Sequence, residues 1–137
     1  MKKASILLLI GLFLLVANIS MATEDPKGFR GLMWGTDFST VKEEMVYIRT
    51  DSSYGGIQFY SRKNDEMAIG TAELFRIEYG FWQNKFIAVS IMFQGFSNFN
   101  SLKGSVFERF GAGYQSNRYI EEYYWHNFAE TTISLKY

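Results

Sequence analysis

Cysteine is absent from this chain, and proline and histidine occur once each. The first absence excludes disulfides, zinc–thiolate centres and thiol nucleophiles, and with them the lipidated cysteine of a bacterial lipoprotein anchor. A serine hydrolase would need the one histidine, His126, as its base, with an oriented acid and an activated serine beside it. No G-x-S-x-G elbow occurs, and Ser105 and Ser116 read as helix and loop residues. Asp51, Asp65 and Glu66 do not follow a calcium-loop spacing. No metal site and no cofactor is therefore expected, and the chain reads as a non-enzyme. An excess of charge is missing too, since Lys plus Arg and Asp plus Glu number 14 each. Basic side chains nowhere cluster into a phosphate-binding face, so nucleic acid is not an expected partner.

What the chain does have begins with a leader. Lys2 and Lys3 precede an apolar run from Ile6 to Val16, and Ser20-Met21-Ala22 offers small residues two apart before the polar Thr23-Glu24-Asp25-Pro26. These are the three parts of a cleavable secretory signal, and the run is short for a membrane span of about 20 residues. Residues 1–22 are expected to be removed, leaving 23–137 as one exported domain without stable membrane insertion, in the periplasm or outside the cell. Cleavage removes two of the 14 basic side chains and none of the 14 acidic ones, for a net charge near −2. Without disulfides, stability has to come from packing, and an aromatic share of 18% supplies it.

The most patterned stretch is Phe75–Gly95. Phe75, Ile77, Tyr79 and Phe81 alternate with Arg76, Glu78 and Gly80, and Ile87, Val89, Ile91 and Phe93 alternate with Ala88, Ser90 and Met92. Period-two alternation predicts two half-buried strands joined as a hairpin. A two-residue loop at Gln83-Asn84 would pair Tyr79 with Ala88 and mix the faces. A three-residue loop, Trp82-Gln83-Asn84, pairs Tyr79 with Ile87, Ile77 with Val89 and Phe75 with Ile91, and is preferred.

Around it, Gly35-Thr36-Asp37 reads as a stop and helix cap, and Phe38, Val41 and Met45 give a short amphipathic helix. Asp51 to Gly56 is a turn region. Ile57–Arg62 and Met67–Ile69 read as a first hairpin across Lys63-Asn64-Asp65-Glu66. Phe99, Leu102, Val106 and Phe110 form one stripe of a second helix, ended by Gly111. Tyr119–Trp125 and Thr131–Tyr137 are the last strand pair, with His126 in its turn. The expected fold is α+β: one antiparallel sheet of five or six strands, with two short helices on one face.

The two halves share an order of amphipathic helix, polar break and antiparallel strands, as a duplication or as economical packing. This order, with Trp34-Gly35-Thr36, Val41 and Tyr79 to Phe93 in the first half, and Leu102, Val106, Phe110-Gly111, Tyr124-Trp125 and Thr131-Ile133-Leu135 in the second, resembles small exported bacterial domains of the BamE and β-lactamase-inhibitor-protein type. The resemblance implies a sheet with helices on one face and a role in binding another envelope protein. BamE-type members are lipoproteins and this chain has no cysteine, so no functional residue is carried over.

Aromatic residues give the functional expectation. In a strand, Tyr124 points opposite to Tyr123 and Trp125, so both faces of the last hairpin carry rings. With Tyr60, Trp82 and Phe86 on the back of the sheet, Tyr124 would form an exposed aromatic face, suited to a protein contact or a sugar platform. The expected function is a non-catalytic envelope protein that binds another envelope protein through this face, or alternatively a binder of glycans or peptidoglycan fragments.

Overall fold

The structure is a computed structural model and describes residues 25–137; the expected leader, residues 1–22, lies outside the described residues. Strands β1 (Gly28–Phe29), β2 (Leu32–Met33), β3 (Met45–Asp51), β4 (Ile57–Arg62), β5 (Ala68–Ile69), β6 (Ala72–Trp82) and β7 (Lys85–Phe93) precede one α-helix, α1 (Phe96–Phe110). Strands β8 (Glu122–Trp125) and β9 (Ile133–Lys136) follow it.

The β6–β7 hairpin organises the rest, by a route the alternation alone does not give. Trp82 pairs with Lys85, so the loop is the two residues Gln83-Asn84, and both take positive φ, 48° and 64°. Such a turn matches the strand twist. The face conflict is removed by a bulge: Phe81 pairs with Phe86 and Gly80 with Ala88, so Ile87 is an extra residue. From there Tyr79 faces Val89 and Ile77 faces Ile91. A second irregularity leaves Phe75 unpaired and exposed, and Leu74 takes the core position beside Phe93.

β6 pairs with β7 along its length, with β4 near its end and with β5 at its start, and β3 pairs with β4. All these pairings are antiparallel, as are those of two further two-stranded sheets, β1–β2 and β8–β9. The fold is therefore α+β, mostly β, but not one sheet with two helices. Ile57–Arg62 and Met67–Ile69 do not pair with each other; both pair with β6.

The expected first helix is replaced by two 3₁₀ turns, Phe38–Thr40 and Lys42–Glu44, and β3 begins at Met45. Ser39, Thr40 and Val41 are weak helix formers, and a stretch this short cannot offset the cost of helix nucleation. Val46, Tyr47, Ile48 and Thr50 favour extended backbone. The apolar stripe nevertheless reaches its target: Phe38 and Val41 pack on the core that buries Met45.

Two apolar clusters result. Leu32, Met45, Tyr60, Leu74, Ile77, Tyr79, Phe81 and Phe86 fill one face of the main sheet. Ala72, Phe99, Leu102, Tyr123, Trp125 and Leu135 lie between α1 and the last hairpin. Ile69 and Phe93 pack against both.

Candidate functional site

The four aromatic residues expected on one exposed face do not share one. Phe86 is fully buried, because the Ile87 bulge turns it to the core side, where its ring lies 5.5 Å from Phe81 and 4.9 Å from Trp34. Tyr60 sits directly across from Tyr79 and is only 9% exposed. Trp82 is 41% exposed and donates its indole N–H to Gly55 O at 3.1 Å. Tyr124, half-buried in a separate sheet, stacks on His126 at 5.5 Å with the rings 13° from parallel. The opposition of Tyr124 to Tyr123 and Trp125 is as expected, since those two are buried.

The back of the main sheet carries instead a row Arg49, Phe59, Gly80, Ala88 in cross-strand register. Phe59 covers Gly80, and the Arg49 guanidinium lies 4.1 Å from the Phe59 ring centroid. Beside them Glu78 is fully buried, accepting from Arg49 Nε and Nη2 at 3.0 and 2.8 Å. That face is closed by its own side chains.

A large concavity among the described residues lies elsewhere. A groove of about 1210 Å3 is lined by β7, by β9, by α1 through Leu102, Ser105, Val106 and Arg109, and by Phe29, Arg30 and Ile69. Along β7 the lining residues are consecutive from Phe86 to Ile91, and along β9 from Ile133 to Lys136. Alternate residues would indicate a strand face; an unbroken run indicates an edge.

Hydrogen-bond alternation identifies the groups on those edges. Trp82 and Lys85 close the hairpin as a hydrogen-bonded pair, and past the bulge the pairs Tyr79–Val89 and Ile77–Ile91 are of the wide kind. The N–H and C=O of Val89 and Ile91 therefore point away from β6. Tyr137 donates its N–H to Glu121 O at 2.9 Å, so Lys136 and Ser134 are the residues of β9 whose peptide groups point away from β8. On its other edge β8 is closed by reciprocal bonds between Tyr114 and Tyr124. Gly35 and Thr36 bond to Phe86 and cover only the start of the β7 edge.

The two open edges run in the same direction. At one end, Pro26 O accepts from Trp34 Nε1 at 2.8 Å and from Thr131 Oγ1 at 3.1 Å, and Trp34 rests on Phe86. At the other, Phe99 contacts both Phe93 and Tyr137, with ring centroids 6.0 and 5.3 Å away. Between these ties lies a slot bordered by strand edges that have no partner among the described residues. β7 carries neither charge nor proline from Phe86 to Phe93, although natural edge strands are commonly protected by one or the other.

The alternation of Ile87 to Phe93 marked a half-buried strand without saying which of its edges is free. The missing charge in that run is the sequence signal that points to the edge. Comparison with family models, with curated proteins and with solved structures gives no match for this chain.

Proposed function

We propose that this is an exported, non-catalytic protein of the cell envelope that holds an extended segment of another envelope protein between β7 and β9. The supporting observation is the pair of open strand edges bordering one groove, with Val89 and Ile91 on one side and Ser134 and Lys136 on the other. A segment laid there would gain main-chain hydrogen bonds from both sheets at once, which is recognition by strand addition. The groove exceeds the 300–1,000 Å3 common for small-molecule pockets. The signal-like pattern read in residues 1–22 supports a site of action in the periplasm or outside the cell. The resemblance to BamE-type and β-lactamase-inhibitor-protein-type domains is in keeping with a protein partner. No helix among the described residues is long and apolar enough to cross a membrane.

The test is crosslinked capture of partners from the envelope fraction, followed by amide hydrogen exchange on the purified complex. The expected result is a partner that slows exchange at Val89, Ile91, Ser134 and Lys136. Val89→Pro removes one outward N–H without touching the β6 ladder and is expected to lose that partner. Protection elsewhere, or full retention by the proline variant, would overturn the reading.

A second reading, glycan or peptidoglycan-fragment binding, is favoured by the parallel Tyr124–His126 pair. These rings border a hollow of about 410 Å3 with Tyr114 and Asn127. It predicts tryptophan fluorescence quenching by muropeptides; flat titrations would count against it.

A further inference from the structure

We infer that the segment taken up by the groove carries acidic side chains among apolar ones, and that Arg109 pairs with one of its carboxylates. This rests on the strand-addition reading and adds the chemistry of the occupant. The charged residues lining the groove are Arg30, Arg109, Lys136 and Glu130, three cations to one anion. Two of the cations are engaged. Arg30 holds Asp65 at 2.6 Å and the carbonyl of Ala68 at 2.5 Å, and Lys136 lies 3.5 Å from Glu122.

Arg109 is exposed on the last turn of α1, with its guanidinium 5.4 Å from the Phe110 ring centroid. Among the described residues it faces no carboxylate within ion-pair distance. The β7 wall from Phe86 to Phe93 contributes no charge of its own, so any charge selection falls to the other walls. An added strand sends its side chains alternately to opposite faces. Val106 and Arg109, three residues apart on the face of α1 that lines the groove, meet the same row, so that row carries both apolar and acidic side chains.

Two occupants from within the protein fit less well. A second copy offering its own β7 would bring no acidic residue between Phe86 and Phe93, and residues 1–22 contain none either. Both would leave Arg109 unmatched.

The experiment uses the exported protein and two blocked, dye-labelled peptides of nine residues, the length of β7. One alternates valine with glutamate and the other valine with lysine, and binding is read by fluorescence polarisation. The glutamate peptide is expected to bind at least about tenfold more tightly, the scale of one charge-assisted contact. Arg109→Glu should reverse the preference, and added salt should weaken the glutamate peptide.

Equal binding of both peptides, with loss of both in Val89→Pro, would overturn the acidic selection while supporting strand addition. Failure of the glutamate peptide to bind overturns the inference, and the hydrogen-exchange result on the captured partner then decides strand addition separately. A concentration-dependent dimer with protected Val89 and Ile91 amides would overturn both in favour of a second copy.

Discussion

Tyr79 donates its phenolic proton to Asp65 Oδ2 at 2.7 Å, while Arg30 Nη1 holds the other oxygen of the same carboxylate at 2.6 Å. Tyr79 is in the centre of the main sheet and Arg30 in the β1–β2 turn, where it takes φ 48° before Gly31 at 79°. One carboxylate thus fastens the amino-terminal hairpin to the main core. Tyr79→Phe keeps the ring and deletes the donor, and is expected to destabilise by about 1–2 kcal/mol in urea unfolding. Burial first, and then the neighbouring Asp65, push the phenol well above its ordinary 10.0. Its contribution to stability is therefore present below pH 10 and lost as pH rises beyond it. The Phe variant should show a shallower alkaline decline, and an unchanged slope would remove Tyr79 as its source.

Asp37 should titrate at about 2 rather than 3.8. Bonds from the Ser39 hydroxyl and backbone N–H stabilise its carboxylate most, with Lys85 at 3.1 Å next. A carboxyl held low stabilises the fold above its unfolded value and loses that effect as pH falls through the folded one. The loss belongs between about pH 4 and pH 2. Carbon-detected NMR titration reads the midpoint directly. Ser39→Ala should move it upward, and an Asp37 midpoint near 4 in the parent protein would contradict the geometry.

Gly80 has no room for a side chain. A Cβ there would stand 2.9 Å from the Phe59 ring and 3.1 Å from both Ala88 Cβ and Ile57 Cγ2. Gly80→Ala should displace Phe59 and cost about 1–3 kcal/mol as overpacking. Phe59→Leu in the same chain should recover part of that loss. If the double variant is as unstable as the sum of the singles, the two positions are not in contact in the way described.

Removing Arg49 leaves Glu78 fully buried with only Arg76, at 3.4 Å. Breaking the pair leaves a buried carboxylate short of a partner, so Arg49→Met is expected to lower the midpoint of thermal unfolding, less than a fully buried pair would because the Arg49 side chain is 40% exposed. Adding Glu78→Gln should restore much of that loss. Equal stability of Arg49→Met and the parent in thermal unfolding would show that Arg76 suffices for Glu78.

Local patterns were readable and partner choice was not. The alternation in Ile77 to Phe81 and Val89 to Phe93, the stripe of α1 and the turn at Asp51 to Gly56 each follow from residues close in sequence. The bulge at Ile87 was not legible, because an inserted residue leaves short-range alternation intact on both sides of it. Phe86 was consequently assigned to the wrong face. The apolar spacing of Phe38, Val41 and Met45 fits a helical stripe and fits two tight turns leading into a strand equally well; helix nucleation decides between them. The groove depends on β7 and β9 meeting across some forty intervening residues, and nothing local to either strand encodes that meeting.

The walls of the groove belong to different cores. β7 sits on the cluster around Tyr79, β9 on the cluster around Trp125, and Ile69 and Phe93 are the side chains that touch both. The Pro26 contacts to Trp34 and Thr131 tie the opposite end. A segment seated in the slot would act as a splint across that seam. Occupancy would then be felt as cooperativity: two units that open separately in the free protein would open together in the bound one.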